Sequence, residues 1–211
     1  MKSDGIILDI DGTIWNTTAV VADAWNTAIK KLGADARPVT PRILQGQFGK
    51  PMDVIAGNLF PALTPQNRDA LMQECCAQEQ RAIAECKRDL TYPNVVGTIR
   101  TLAETKRIFI VSNCQSGYIE LTMRKTGIED CITDWECFGN TGKQKSENIR
   151  AVAARNSLCA PVYVGDTEGD FLACREAGVP FIHAAYGFGG ITSDGIAGRI
   201  ESFDALLKLI D

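Results

Sequence analysis

The chain has 211 residues, room for one core domain of ordinary size or for a core carrying an inserted subdomain. Apolar residues make up 45% and charged residues 23%, ample for a buried core, and the net charge is −4. That balance offers no general electrostatic reason to bind nucleic acid or an anionic membrane, and no apolar run approaches the ~18–20 residues that span a bilayer.

Met1-Lys2-Ser3-Asp4-Gly5 leads at once into Ile6-Ile7-Leu8 and then acidic residues. A signal peptide needs a longer apolar stretch and a small-residue cleavage site, so a cytoplasmic protein is expected. Ile6-Ile7-Leu8 reads as a short buried strand. Val20, Val21, Ala24, Trp25, Ala28, Ile29 and Leu32 then recur at helical spacing until Gly33 stops the helix. Between residues 34 and 92 only helices are expected. Thr40-Pro41 and Thr64-Pro65 each put a capping residue before a proline at the first helical position, and Pro65 to Cys86 reads as one long helix. After Tyr92-Pro93-Asn94 the period alternates. Helices are expected near Val95–Leu102, Gly117–Lys125, Ser146–Arg155, Phe171–Ala177 and Phe203–Ile210, and strands at Ile108–Val111, Cys131–Phe138, Val162–Val164 and Pro180–Ala185. This order predicts an α/β fold, a parallel sheet with helices on both faces and a small α-helical insertion after the first strand.

Parallel sheets carry their sites at the carboxyl ends of the strands. There the sequence places Asp9-Ile10-Asp11-Gly12-Thr13, then Ser112-Asn113, then Thr141-Gly142-Lys143-Gln144-Lys145, then Gly165-Asp166-Thr167-Glu168-Gly169-Asp170. Acids, a hydroxyl and a lysine converge on one rim. Other chemistries are poorly supplied. There are eight cysteines but no C-x-x-C pair, and His183 is the only histidine, so free thiols are expected rather than zinc or disulfides. A Ser-His-Asp or Cys-His mechanism would have to use His183.

The apolar strand followed by D-x-D-G-T at Asp9–Thr13 resembles the first motif of the haloacid dehalogenase superfamily. Ile108–Ser112 resembles the second, Lys145 the third, and Val162–Asp170, with its G-D-x-x-x-D, the fourth. All four occur in order across nearly the whole chain. The helical insertion is similar to the cap of the phosphoglycolate phosphatase and β-phosphoglucomutase branch. The resemblance implies a Rossmann-like core over residues 1–15 and 93–211, and a cap over 16–92.

It further implies a Mg²⁺-dependent phosphatase acting on a small phosphorylated metabolite, with Asp9 as nucleophile and Asp11 as acid and base. Ser112 and Lys145 would stabilise the transferring phosphoryl group, and Thr13, Asn113 and Lys50 would contact substrate. Mg²⁺ takes oxygen ligands; the resemblance supplies Asp9, Asp166 and the Asp11 carbonyl, with Asp170 ligating directly or through water. Lys143 competes with Lys145 for the third role, and Asp170 could instead stabilise its helix terminus. The glycine-rich Tyr186–Gly190 is not a nucleotide fingerprint and is expected to be a mobile rim loop. The first motif departs from its common continuation at Trp15-Asn16-Thr17, where Asn16 could cap the next helix, and Ser146 replaces the frequent proline of the third. Two alternatives stay open, a phosphosugar mutase and a non-catalytic binding protein that has kept the fold.

Overall fold

A computed structural model describes residues 1–191 and 193–211. They divide into two compact units, one of Met1–Asn16 with Thr91–Asp211 and one of Thr17–Leu90.

The first unit is built on a six-stranded parallel sheet in the order β3-β2-β1-β4-β5-β6. Its strands are β1 (Gly5–Leu8), β2 (Arg107–Ser112), β3 (Ile132–Cys137), β4 (Pro161–Gly165), β5 (Phe181–Ala184) and β6 (Gly198–Ile200). The sequence pattern anticipates the first five. Edge strand β6 is missed, because Gly-Arg-Ile is too short to show a period.

Every residue of β1 is buried, as a strand covered on both faces requires. Ile7 points into one core layer with Phe109, Tyr163 and Phe181, together with Ile149, Val152, Phe171 and Cys174 of the helices Lys145–Arg155 (α8) and Glu168–Ala177 (α9). Ile6 and Leu8 alternate to the other face and are equally buried. Truncating Phe109 or Phe181 to alanine would cost about 3–5 kcal/mol.

The second unit contains α1 (Thr18–Leu32), α2 (Pro41–Gln45), α3 (Met52–Leu59) and α4 (Pro65–Glu85). Thr40 and Thr64 cap as expected, accepting from the amides of Ile43 and Asn67 at 3.2 and 3.3 Å. Helix α1 starts at Thr18, one residue later than an Asn16 cap would set it. Helices α1 and α4 pack together, and the buried Trp25 indole donates to the buried Glu79 carboxylate at 2.7 Å. Among the described residues no helix is long and apolar enough to cross a membrane. All eight cysteines are free; four are buried and Cys159 is exposed.

Candidate active site

Strand order alone sets where the site lies. β1 is flanked by β2 on one side and β4 on the other, so the chain reverses its winding direction there. Such a switch point opens a crevice at the carboxyl ends of the strands. The Asp9 amide continues the ladder, donating to the Val164 carbonyl at 2.9 Å. Continued by one residue, this register puts Asp9 level with Val111 and Gly165, one position before Ser112, the last residue of β2, and Asp166.

One carboxylate oxygen from each of Asp9, Asp166 and Asp170 falls within 4.8 Å of the others, and all three residues are buried. Lys145 is buried among them. Its Nζ donates to Asp9 Oδ1 at 2.9 Å and to Asp170 Oδ1 at 2.5 Å. Lys143, its rival from the sequence, is exposed. Asp170 divides its two oxygens: Oδ1 takes Lys145, while Oδ2 caps α9 by accepting from the Thr167 amide at 3.0 Å and hydroxyl at 2.7 Å. Asp170 thus caps its helix with one oxygen while the other faces Lys145 in the carboxylate cluster.

The electrostatics are unbalanced. Three carboxylates face one ammonium, and each carboxylate pair repels by roughly 3–4 kcal/mol at an effective dielectric of 20. Burial, with the Asp170 charge added, outweighs Lys145 and pushes the Asp9 carboxyl up to about 6. Burial and the charges of Asp170 and Asp9 raise Asp166 well above the carboxylate range. Burial pulls Lys145 the other way, but Asp170 and Asp9 outweigh it and hold its ammonium charged. Asp166 Oδ2 accepts the Phe188 amide at 2.7 Å, whereas its buried Oδ1 has no hydrogen-bond partner. An all-oxygen set with excess negative charge and an unsatisfied buried carboxylate oxygen fits a hard divalent cation.

The approach of the first motif to Asp166 leaves no room for side chains. Gly12 has φ +84°, and a Cβ there would sit 2.1 Å from Asp166 Oδ2. On the other side a Cβ at Gly187 would meet the Gly12 carbonyl and Asp166 Cβ, each at 2.4 Å. The loop expected to be a mobile rim is thus packed on the carboxylate cluster. Tyr186 donates to the Thr13 carbonyl at 2.8 Å, and Phe188 supplies the amide to Asp166. Thr13 is fully buried, and its hydroxyl has no partner.

Ser112 is buried at the end of β2, and Asn113 half-buried after it. The Asp11 carboxylate accepts from the Trp15 indole at 3.1 Å and the Tyr118 hydroxyl at 2.9 Å. Lys50 belongs to the helical unit, where its exposed ammonium donates to the Gly46 carbonyl at 2.8 Å. Tyr163 was not singled out from the sequence. Its hydroxyl donates to the Val111 carbonyl at 2.7 Å and lies 3.4 Å from Asp9 Oδ1. A lone aromatic hydroxyl in the aliphatic strand Val162-Tyr163-Val164 was the available signal.

The family model for haloacid dehalogenase-like hydrolases matches residues 6–184, which include Asp9, Ser112, Lys145, Asp166 and Asp170. The chain belongs to that family. Similar curated relatives of this hydrolase include a phosphoglycolate phosphatase of Mannheimia succiniciproducens, 24% identical with 96% of each chain covered. Another, of Cereibacter sphaeroides, is 27% identical over 84% of this chain and 83% of its own. Among solved structures, a predicted phosphoglycolate phosphatase from Haemophilus somnus superposes with a TM-score of 0.87 at 18% identity, covering 98% of this chain and 97% of its own. A haloacid dehalogenase-like hydrolase from Streptococcus pneumoniae gives 0.81 at 17% identity, with 97% of both covered. At those identities the structural likeness establishes the fold.

Proposed function

We propose that this hydrolase is a Mg²⁺-dependent phosphomonoesterase for a small phosphorylated metabolite, with 2-phosphoglycolate the first substrate to test. The observation that carries the reading is the buried Asp9–Asp166–Asp170 cluster held against Lys145. The curated relatives named phosphoglycolate phosphatase support the substrate class.

Asp9, Asp166 and the Asp11 main-chain carbonyl would hold Mg²⁺, with Asp170 completing the cluster around Lys145. When bound, the ion supplies positive charge that screens the phosphate dianion from the carboxylates. An Asp9 carboxylate oxygen attacks phosphorus, the bond to the leaving oxygen breaks, and Asp11 gives that oxygen a proton. Asp11 then takes a proton from the water that attacks the aspartyl-phosphate. Inorganic phosphate leaves and the Asp9 carboxylate is regenerated. The Ser112 hydroxyl, the Asn113 amide and Lys145 hold the phosphoryl oxygens, where fixed donors contribute most in phosphoryl transfer. Thr13 is assigned to substrate contact.

Rapid quench with p-nitrophenyl phosphate tests the two aspartates separately. Asp11→Asn should give a burst of p-nitrophenol and a trapped acyl phosphate, because p-nitrophenolate leaves without a proton but nothing activates the water. Asp9→Asn should give neither. A burst from Asp9→Asn would place the nucleophile elsewhere, and phosphate retained on a sugar acceptor rather than released would show a mutase.

A further inference from the structure

The acid and base assigned above is held by two side chains to which no role has yet been given, Trp15 and Tyr118. Asp11 is only half-buried and two residues beyond Asp9, on a loop rather than a strand. A carboxylate there has two free torsions, yet a proton donor must sit within hydrogen-bond reach of the leaving oxygen. The structure shows what restrains it. The Trp15 indole N–H and the Tyr118 hydroxyl both donate to the same oxygen, Asp11 Oδ1, at 3.1 and 2.9 Å.

Each donor is itself immobilised. Trp15 and Tyr118 are 0% and 1% exposed, and their rings pack edge to face with centroids 5.7 Å apart. The first-motif loop folds back on itself, with the Gly12 amide donating to the Trp15 carbonyl at 3.0 Å and the Trp15 amide to Ile10 at 3.3 Å. That turn returns the indole to Asp11. Tyr118 arrives from the other motif: it opens the helix Tyr118–Thr126 beyond β2, directly after Gly117, whose φ of +83° suits glycine. Two rigid aromatic donors from different loops therefore fix one carboxylate.

We infer that Trp15 and Tyr118 are positioning residues that aim the Asp11 carboxyl at the leaving-group oxygen. The inference rests on Asp11 being the acid and base. Fixing the donor before substrate arrives avoids an ordering cost during the reaction. The effect should therefore appear where the proton matters, in departure of a poor leaving group.

The test compares kcat/KM for an alkyl ester, 2-phosphoglycolate, with that for p-nitrophenyl phosphate in saturating Mg²⁺. Both values report events up to leaving-group departure, and their ratio is internal to whatever fraction is folded. A variant that melts early is therefore still readable. Tyr118→Phe removes only the hydroxyl and should lower the alkyl-to-aryl ratio by about tenfold, the scale of one hydrogen bond to a charged group. Trp15→Phe should act in the same direction and the double variant further, while Asp11→Asn should lower the ratio by about a hundredfold or more. Ratios unchanged in Tyr118→Phe and Trp15→Phe, beside a lowered one in Asp11→Asn, overturn the positioning role and leave the acid in place. An unchanged ratio in Asp11→Asn removes the acid itself, and the inference with it.

Discussion

Two clusters in the sheet unit each set one cation between two carboxylates, and they differ in almost everything that follows. Lys145 bridges Asp9 and Asp170 with 3% of its side chain exposed. Arg155 bridges Asp134 and Glu136 at 2.6–2.9 Å with 42% exposed. Around Arg155 burial is partial, so its hydrogen bonds win and hold Asp134 and Glu136 below the usual carboxylate range. Around Lys145 burial is complete and a third carboxylate, Asp166, is added, so Asp9 and Asp166 move the opposite way. The ingredients are alike; solvent access and one extra charge reverse the sign. The first arrangement keeps excess negative charge out of water, whereas water relaxes the second. The first is the metal site proposed above, and the second ties α8 to β3.

The strongest way to break this contrast is to withhold the cation. Excess chelator should abolish turnover, and added Mg²⁺ should restore it and raise the melting temperature, since an ion that binds the folded cluster stabilises it. Undiminished turnover in chelator would show that the excess charge is not a metal site.

Removing the buried ammonium comes next. Lys145→Ala should lower kcat/KM by on the order of a hundredfold or more, the loss expected for a charge-stabilising donor. Lys143→Ala, on the exposed side of the same loop, should leave it nearly unchanged. The reverse ranking in a steady-state assay would move the third-motif role from Lys145 to Lys143.

The surface cluster should give the smallest effect and only in stability. Arg155→Ala should leave turnover intact and cost about 1 kcal/mol after solvent screening, roughly 2–4 °C in Tm for a chain of this size. Asp134 and Glu136 have folded pKa values below their unfolded ones. Their pairing thus stabilises fully above the unfolded values, near 4, and is lost as pH falls through the folded ones. The Tm gap between the parent and Arg155→Ala should be full at pH 7 and close below about 4. A gap that widens in acid would reverse the assigned shifts.

Much of this was legible without coordinates, because it depends on neighbours along the chain. An all-apolar Ile6-Ile7-Leu8 must be buried on both faces, so its polar continuation at Asp9 has to emerge at a strand end. The same logic located Ser112 and Asp166, and helical period with Thr-Pro signals located α1, α2 and α4. The rest arises between residues far apart in sequence. In Lys143-Gln144-Lys145 the sequence favours Lys145 only by its place at the head of a helix, and it is the packing of α8 beside β2 and β3 that buries one lysine and exposes the other. Phe188 reaches Asp166, and Tyr118 reaches Asp11, across 22 and 107 positions. Such hydrogen bonds leave no periodic trace, since their geometry is set by where the sheet brings separate loops together. Local pattern determined which groups stand on the rim; the tertiary structure decided which of them touch, and with what charge.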